Sequence, residues 1–505
     1  MSAKLEHITA LIKTARVTPL ARHTPLQEVT PGLYLKREDM QSVFSFKIRG
    51  AANRIAHLGA DDKQNGVVCA SAGNHAQGVA RAARKAGIKA TIFMPVTTPS
   101  IKSEAVRALG GHVRLVGDNY DAACAAAEDY ARKSGATFIH PFDDDLVIAG
   151  QGTIGREILN DMSEPPAAIY IPVGGGGLLA GVGAWIRTYS PNTCIIAVEP
   201  EGAATLNASL KAGHGVSLNR VDGFADGVAV KRIGRRTLAM AKAIDPESLL
   251  VSNDEISAAV KYIFNKTRTV VEPAGALALA GALKNEQQKD GPVVVIVSGA
   301  NVNFDRIGHM VERAELGAGG EILFAATLPE RPGAFLKFCE ALGQHAVTEF
   351  NYRYGDPGVA HVLVGIKIST PQEGETVLAN IRAAGMAVTD FTHSHLAKEH
   401  IRHMVGGRSD ASVPEQVYSF QFPERPGALK DFLLALQGRW NISLFHYRNH
   451  GAAIGQVLCG FQTPKGDVDA LEASLRATGF AMQCVTRDKA VQAFLLTRHQ
   501  QRGAA

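Results

Sequence analysis

Cysteine, tryptophan and clustered charge are scarce in this chain of 505 residues. The six cysteines lie far apart and form no C-x-x-C pair, which argues against a disulfide framework or a cysteine zinc site and favours free thiols in a reducing compartment. The formal net charge of +5 is spread along the chain without basic runs. We therefore expect no nucleic-acid partner.

Uninterrupted hydrophobic segments are also lacking. The segment from Pro165 to Ile186 contains no charged residue, but Pro172 and four consecutive glycines interrupt it, so a membrane-spanning helix is not expected. The first residues contain no apolar stretch typical of a signal peptide. Together with the free thiols, these absences predict a cytoplasmic protein with no membrane partner.

Between about Leu33 and Val311, short runs rich in valine and isoleucine alternate with alanine-rich stretches. The runs are Gly66–Cys69, Ala90–Met94, Ala168–Ile171, Cys194–Val198 and Pro292–Val297. Continuous apolar strands separated by helices are typical of a parallel sheet that is covered on both faces. Each run leads into a loop with glycine or proline, where α/β folds bind their ligands. We predict an α/β region with two parallel-sheet lobes.

The C-terminal part of the chain repeats itself. Pro329–Ala334 recurs as Pro423–Ala428, and Phe350–Arg353 recurs with one substitution as Phe445–Arg448, about 94 residues further along. Each copy has the pattern strand, helix, strand, strand, helix, strand, which predicts two ferredoxin-like βαββαβ domains. A Gly/Ala-rich stretch near residue 317 and a polar stretch over 406–412 indicate the boundaries. The predicted domains are 1–319, with a small lobe inserted at about 40–145, then 320–405 and 413–505.

Four histidines lie near the boundary between the two copies: His393, His395, His400 and His403. No cysteine or carboxylate pattern accompanies them. Since histidines at domain edges are usually solvated, we expect no metal site there.

Three glycine-containing loops offer groups that could bind a ligand. Gly174–Gly177 follows an apolar run and opens a helix, so its backbone N–H groups can converge on a phosphate. It is neither a Walker A loop nor a dinucleotide fingerprint, and a turn that only permits tight packing is the alternative. The loop Ser71–Gly78 offers a hydroxyl and N–H groups to a carboxylate, and the Asn74 amide to a phenolic oxygen. The third loop, Ser298–Asn303, offers a hydroxyl instead of a carboxylate.

Lys47 lies in the sequence Ser45–Gly50, just ahead of an alanine-rich helix. Taken alone it would be interpreted as a surface cation, as most lysines are. The three loops together, however, describe a site for a phosphorylated aromatic cofactor. Such a site often needs one buried lysine to hold the cofactor covalently, which makes Lys47 the candidate anchor.

The chain resembles the fold-type II pyridoxal-phosphate enzymes, and among them the serine/threonine dehydratase family. The resemblance is carried by four features in this order: Lys47, the Ser-Ala-Gly-Asn-His loop, the tetraglycine and the Ser-Gly-Ala-Asn loop. The resemblance covers about residues 5–318, and the C-terminal repeat is similar to the paired ACT-like regulatory domains of threonine deaminases. It implies pyridoxal 5'-phosphate as the cofactor, with Lys47 as covalent anchor, Asn74 at the 3-hydroxyl and Ser298 at the pyridine nitrogen. The other implied cofactor contacts are Phe46 and, around the phosphate, Gly174, Gly175, Gly176, Gly177 and Leu178.

The resemblance also implies a substrate site. The residues implied to bind the substrate carboxylate are Ser71, Gly73, Asn74 and His75. Glu272, in the sequence Val-Glu-Pro-Ala-Gly-Ala, matches a family motif near the site without a defined role. Relatives can also bind a monovalent cation near the positions that match Glu199 and Ala203. Where racemases carry a second serine, this chain has Ala72, which disfavours racemisation.

The implied activity is the conversion of L-threonine to 2-oxobutanoate and ammonia, the first step of isoleucine biosynthesis, with Lys47 as the base at Cα and a homotetramer as the assembly. Isoleucine would inhibit and valine activate through the C-terminal pair, where Tyr352 and Tyr447 occupy equivalent positions as effector contacts. Three alternatives stay open. The chain could be another β-elimination or β-replacement enzyme, such as a serine dehydratase or a threonine synthase, or a non-catalytic amino-acid sensor. The repeat could also be an oligomerisation module without ligands.

Overall fold

Two units make up the chain, Met1–Gly317 and Ala318–Ala505. The computed structural model describes residues 2–285, 291–317, 320–355, 357–394, 413–423, 427–436, 438–448, 454–464 and 466–488, together with residues 491 and 495. Within these ranges, no helix combines the length and the hydropathy that a membrane span requires.

The first unit alternates strands and helices. Its strands are β1 (Leu26–Thr30), β2 (Leu33–Arg37), β3 (Val67–Ala70), β4 (Ala90–Met94), β5 (His112–Leu115), β6 (Thr137–Phe138), β7 (Ala168–Pro172), β8 (Cys194–Pro200), β9 (Glu247–Val251) and β10 (Val293–Val297). Its α-helices are α1 (Ala3–Lys13), α2 (Lys47–Ala56), α3 (Ala60–Asn65), α4 (Asn74–Lys85), α5 (Ser100–Ala108), α6 (Tyr120–Ser134), α7 (Asp145–Asp161), α8 (Gly177–Tyr189), α9 (Thr205–Ala212), α10 (Arg235–Ile244), α11 (Asn253–Thr267), α12 (Pro273–Lys284) and α13 (Asp305–Gly317). Short 3-10 helices span Glu38–Met40 and Glu201–Ala203.

Two sheets form the two lobes of this unit. The larger sheet has the order β1-β2-β10-β7-β8-β9 and is parallel except for β1, which pairs antiparallel with β2 at one edge. The smaller sheet, β5-β4-β3-β6, is parallel throughout and lies in the chain between β2 and β7. Strands β3, β4 and β7 are buried along their whole length, which explains their continuous apolar sequence. The predicted α/β class with two parallel-sheet lobes is confirmed.

Strand ends position the three candidate loops. β3 ends directly before Ser71, β10 ends directly before Ser298, and β7 ends two residues before Gly174. β7 and β10 are neighbours in the larger sheet, so the loops that follow them emerge side by side. Carboxyl ends of parallel strands are where α/β folds bind ligands.

The second unit contains both copies of the repeat. Its strands are β11 (Glu321–Pro329), β12 (Val347–Arg353), β13 (Val359–Lys367), β14 (Ala387–Asp390), β15 (Glu415–Pro423), β16 (Asn441–Arg448), β17 (Ile454–Gln462) and β18 (Ala481–Cys484). Its helices are α14 (Ala334–Leu342), α15 (Pro371–Ala383), α16 (Ala428–Leu436) and α17 (Val468–Ala477). Each copy thus follows the order βαββαβ, and the predicted pair of ferredoxin-like domains is confirmed.

One antiparallel sheet runs through both copies, in the order β14-β11-β13-β12-β16-β17-β15-β18. The copies meet where β12 pairs with β16, with Tyr352 opposite Phe445 and Phe350 opposite Tyr447. Aromatic side chains dominate this seam, and the rings of Phe350 and Phe445 pack edge to face with centroids 5.1 Å apart. The two copies therefore share one core.

Several predicted features lie outside the described residues. These are His395, His400 and His403, the polar stretch 406–412, and residues 424–426 of the second Pro-Glu-Arg-Pro-Gly turn. His393 is described and is exposed. Across the described ranges, no three or more histidine, cysteine, aspartate or glutamate side chains are grouped so that they could hold a metal ion.

Glycines allow two helices to approach the start of α2 closely. A Cβ on Gly78 in α4 would lie 3.2 Å from the Lys47 carbonyl oxygen, and a Cβ on Gly150 in α7 would lie 2.4 Å from the carbonyl oxygen of Arg49. Larger residues would therefore push α4 or α7 away from the backbone of α2. The helix α2, which begins at Lys47, therefore packs closely against both α4 and α7.

A buried ion-pair network fixes the same helix to the larger lobe. Arg49 is fully buried and donates to both carboxylate oxygens of Glu38, at 2.7 and 2.8 Å, and of Glu157, at 2.6 and 2.8 Å. Lys36, also fully buried, pairs with Glu157 at 2.8 Å. Charges buried at this depth are stable only when their hydrogen bonds are complete, and this network links β2, α2 and α7 through such bonds.

We predict that Arg49→Met destabilises the first unit by about 3–5 kcal/mol, because it leaves two carboxylates without their buried partner. Arg54→Met in the same helix is the matched control, since Arg54 and Asp144 form a partly exposed pair whose loss costs about 1 kcal/mol or less. Urea unfolding followed by circular dichroism measures both changes. Equal stability losses in the two variants would show that the buried network does not hold α2.

Candidate active site

Lys47 and the three candidate loops meet at one cavity of the first unit. The cavity holds about 450 Å³ of space, counting space open to solvent, within the roughly 300–1,000 Å³ typical of small-molecule sites. The predicted cofactor contacts that line it are Phe46, Lys47, Asn74, Gly174, Gly175, Gly176, Gly177, Leu178 and Ser298. Phe142, Gln151, Val228 and Glu272, which had no predicted contact, also line it.

Lys47 is the first residue of α2, and its amine lies 5.3 Å from the centroid of the Phe46 ring. Its side chain is only partly accessible. Loss of hydration lowers the pKa of Lys47, and the nearby Glu272 carboxylate offsets this effect only in part. More of the amine is therefore neutral than in a surface lysine. A neutral amine is the form that attacks a carbonyl group or accepts a proton.

The tetraglycine forms a tight cradle before α8. A Cβ on Gly175 would lie 2.2 Å from the Phe142 ring, and a Cβ on Gly174 would lie 2.8 Å from Cα of Val228. Gly176 has φ +87°, a left-handed conformation that favours glycine. α8 begins at Gly177 without a side-chain cap, so the N–H groups of its first turn remain available to a ligand.

The chemistry of this cradle fits a phosphate group. N–H groups at a helix N-terminus attract anions, and the glycines leave room for the anion to contact the backbone directly. The Gln151 amide lies against the loop, with its buried Oε1 atom lacking a hydrogen-bond donor among the described residues. With the amide turned by half a rotation, its Nε2 atom would face the loop and donate to a phosphate oxygen.

The second loop contributes Asn74 to the cavity. Its side chain is held at both ends, because Nδ2 donates to Glu272 Oε1 at 2.7 Å and Oδ1 accepts from Asn301 Nδ2 at 2.5 Å. Ser71 and Gly73 precede Asn74 in the loop, where the Gly73 N–H donates to Ser71 Oγ at 3.2 Å. These residues lie beside the cavity lining rather than in it.

His75 is oriented differently from the other residues of this loop. Its side chain is buried, with Nε2 2.8 Å from the carbonyl oxygen of Ile139. Burial lowers the pKa of His75 to about 3, so the imidazole is neutral at physiological pH. The group of His75 that could reach a substrate carboxylate is therefore its backbone N–H, in the first turn of α4.

The third loop connects the Lys47 segment with α12. Ser45 forms a β-bridge with Gly299, and the Phe46 N–H donates to the Ser298 carbonyl oxygen at 3.2 Å. Ser298 Oγ donates to the carbonyl oxygen of Ala274 at 3.0 Å. These contacts, with the Lys47 segment and with α12, place the neutral Ser298 hydroxyl at the cavity.

Glu272 is the site residue whose role the sequence left undefined. It is the N-terminal cap residue of α12, and its carboxylate is buried against Asn74. Burial raises the pKa of Glu272 to about 7, and the nearby Asp226 carboxylate adds to the rise. The family motif indicated this position, but only the fold shows that residues 198 positions apart, Asn74 and Glu272, are paired.

Glu199 lies away from this cavity and caps another helix. Its buried carboxylate accepts from the N–H groups of Leu206 at 2.7 Å and Asn207 at 2.8 Å, in the first turn of α9. Burial raises the pKa of Glu199 to about 7. Ala203 is buried in the short 3-10 helix just before α9. The monovalent-cation site expected near these two residues stays a prediction.

Tyr352 and Tyr447 both lie in the second unit. Tyr352 donates its hydroxyl to Glu330 at 2.5 Å. Tyr447 lines a cavity of about 780 Å³, counting space open to solvent, that both copies of the repeat build. Leu342, Val347 and Phe445 supply apolar walls to the same cavity. The effector contacts expected at the two tyrosines stay a prediction.

Two family models match the chain. The family model described as "Pyridoxal-phosphate dependent enzyme" matches residues 12–299. The model described as "C-terminal regulatory domain of Threonine dehydratase" matches residues 312–401 and again residues 407–495. The first model thus matches the part of the chain that contains Lys47 and the three loops, and the second matches each copy of the repeat.

Individual relatives extend the likeness over nearly the whole chain. The chain is 46% identical to "L-threonine dehydratase biosynthetic IlvA" of Burkholderia multivorans, over 96% of this chain and 98% of the relative. It is 44% identical to the Escherichia coli protein of the same name, over 97% of each. Among solved structures, processed threonine deaminase isoform 2 of Solanum lycopersicum is 45% identical, with a TM-score of 0.60, over 62% of this chain and 94% of that one. Maize serine racemase is 31% identical, with a TM-score of 0.57, over 62% of this chain and 97% of that one. The chain therefore belongs to the biosynthetic threonine dehydratase family of pyridoxal-phosphate dependent enzymes.

Proposed function

We propose that this chain converts L-threonine to 2-oxobutanoate and ammonia, as the committed step towards isoleucine. The observation that carries the proposal is the convergence of Lys47, Asn74, the Gly174–Gly177 cradle and Ser298 on one cavity. Full-length similarity to biosynthetic threonine dehydratases supports the choice of substrate. An intact lysine and three intact loops argue against a non-catalytic sensor.

Each part of the cavity matches one part of pyridoxal 5'-phosphate. The Gly174–Gly177 cradle and the Leu178 N–H would hold the phosphate, and the Asn74 amide would donate to the 3-oxygen. Ser298 would meet the pyridine nitrogen, with Phe46 against the ring. When bound, the cofactor supplies an electron sink for the charge that develops at Cα of the substrate.

The protein's own groups would then move the protons. The Lys47 amine, once free of the cofactor, would accept the proton from Cα of threonine as general base. The N–H groups and hydroxyl of the loop from Ser71 to His75 hold the substrate carboxylate and so fix which bond at Cα is broken. The β-hydroxyl would take up one proton and leave as water, so that one proton is removed at Cα and one is returned to the leaving oxygen. The released enamine takes up water and yields the oxo acid and ammonia, so the atoms of threonine are recovered in the two products.

Two positions favour elimination over racemisation. Ser298 would offer the ring nitrogen of the bound cofactor a neutral hydroxyl, which cannot keep that nitrogen protonated as an aspartate would, and this would favour elimination over reprotonation at Cα. Ala72 carries no proton that it could deliver to the opposite face of Cα. A serine racemase activity is therefore not proposed, despite the structural likeness to the maize enzyme.

Regulation is proposed to act through the second unit. The cavity at Tyr447 combines apolar walls with backbone and side-chain polar groups, which suits an amino acid with a branched apolar side chain. Isoleucine would inhibit by binding the low-activity state more tightly, and valine would activate by the opposite preference. We also propose a homotetramer in the cytoplasm, from the resemblance to the family.

Replacing Lys47 tests the catalytic assignment. We expect Lys47→Ala to lose the visible absorption of the lysine-bound cofactor and to reduce threonine-dependent formation of 2-oxo acid by at least about 10³-fold, because both anchor and base are removed. Lys211→Ala, which changes an exposed lysine of the same unit, should behave as the parent protein. Retention of absorption and activity in Lys47→Ala would remove Lys47 from the centre of the site.

Replacing Gly175 tests the phosphate cradle. The added Cβ of Gly175→Ala would collide with the Phe142 ring, so we expect pyridoxal 5'-phosphate to bind about tenfold or more weakly. Gly223→Ala is the matched control, because a Cβ there meets nothing within 4 Å. Titration of the apoprotein with the cofactor measures both affinities. Unchanged affinity in Gly175→Ala would place the phosphate elsewhere.

Replacing Tyr447 tests the effector site. We expect Tyr447→Ala to raise the isoleucine concentration for half-inhibition by about tenfold or more, while turnover without isoleucine stays unchanged. Leu434→Ala serves as the control, since Leu434 is an exposed residue of the same unit outside the cavity. Unaltered inhibition of Tyr447→Ala would locate the effector site away from this cavity.

A further inference from the structure

The Glu272 carboxylate occupies a position in the cavity wall that the proposed roles of the other residues do not explain. It lies at the N-terminus of α12 but makes no side-chain cap to that helix. Instead, Oε1 accepts the hydrogen bond from Asn74 Nδ2 at 2.7 Å. Burying a carboxylate costs free energy unless hydrogen bonds offset it, so the pairing with Asn74 indicates a defined role for Glu272.

The contacts of Asn74 define which way its amide points. Nδ2 faces the Glu272 carboxylate, and Oδ1 faces Asn301 Nδ2 at 2.5 Å, while Asn301 Nδ2 also donates to the Val43 carbonyl oxygen at 2.8 Å. In the flipped orientation, Asn74 would set an oxygen against a carboxylate oxygen and an amino group against an amino group. With Glu272 ionised, both contacts would be repulsive, so the pair Glu272 and Asn301 selects one orientation.

Glycines keep space open for this arrangement. A Cβ on Gly299 would lie 2.2 Å from Glu272 Oε1, so the carboxylate occupies the volume that any side chain at residue 299 would fill. A Cβ on Gly227 would lie 3.8 Å from the same oxygen and 3.9 Å from Asn74 Nδ2, at van der Waals distance. The backbone of the third loop is thus shaped around the carboxylate.

We propose that Glu272 is a positioning residue that locks the Asn74 amide so that its second N–H points into the cavity as a hydrogen-bond donor. The acceptor would be the phenolic 3-oxygen of pyridoxal 5'-phosphate, and the inference rests in that respect on the proposed function. Glu272 touches neither the substrate nor the bond that breaks in this account. Its effect on the cofactor passes through Asn74.

Charge alone is the competing explanation of the same position. Lys47 and Asp226 both interact electrostatically with Glu272, and Lys102, paired with Asp226 at 2.7 Å, does so as well. A role of this kind requires the negative charge, whereas orientation of Asn74 requires only an acceptor oxygen. Glu272→Gln, which retains an acceptor oxygen without the charge, separates the two explanations.

The test is a double-mutant cycle on the full-length protein. Apoproteins carrying Glu272→Ala, Asn74→Ala, both changes, or Glu272→Gln are titrated with pyridoxal 5'-phosphate, and the visible absorption spectrum and the dissociation constant are recorded. We expect Glu272→Ala to weaken cofactor binding about tenfold and to shift the absorption band, because the 3-oxygen loses an oriented donor. In the Asn74→Ala background the same change should weaken binding by less than about twofold. Glu272→Gln should keep the parent spectrum and bind within about threefold of the parent.

Controls separate this role from a general loss of structure. Glu255→Ala removes a carboxylate that caps α11 in the same unit and should lower the unfolding temperature without altering the absorption band. Equal losses from Glu272→Ala in the presence and absence of Asn74, or a Glu272→Gln spectrum that matches Glu272→Ala, would overturn the inference while leaving the proposed function intact. Failure of the parent protein to bind pyridoxal 5'-phosphate would overturn both.

Discussion

The buried guanidinium of Arg49 is the contact on which the geometry of the site depends. It joins Glu38, which follows β2, to Glu157 in α7, and it does so two residues after Lys47. A fully buried cation with two carboxylate partners has little freedom to shift, because any displacement leaves a charge unpaired in a medium that solvates it poorly. The helix that starts at Lys47 is therefore fixed in position and in rotation, and so is the Cα from which the lysine side chain extends.

Close backbone approach supplies the rest of the constraint. Gly78 and Gly150 let α4 and α7 pack directly on the first turn of α2, and Gly275 in α12 approaches the Gly299 carbonyl so closely that a Cβ would lie 2.1 Å away. Small residues at these crossings bring the ends of β3, β7 and β10 to one cavity. A cofactor that must be gripped at its phosphate, its ring and its reactive carbon needs such convergence, since each loop alone is only a turn.

Some parts of the candidate site follow from local sequence patterns. The tetraglycine and the Ser298 loop each follow an apolar run, so the sequence alone placed both loops at strand ends. Pairings between distant residues gave no such signal: Asn74 and Glu272 are 198 positions apart, and Arg49 and Glu157 are 108 positions apart. The repeat likewise predicted both βαββαβ domains, but not that residue 447 lines a cavity built by both copies. Sequence periodicity reports the fold, whereas side-chain partners depend on how elements pack.

We propose that Lys47 holds the cofactor that makes threonine reactive. Borohydride reduction of the purified protein converts the carbon–nitrogen link between lysine and cofactor into a stable single bond, and peptide mass spectrometry then locates the modified residue. We expect a phosphopyridoxyl group on Lys47, and its loss from that lysine when threonine is added before reduction. Modification of a different lysine, or of none, would show that Lys47 does not hold the cofactor.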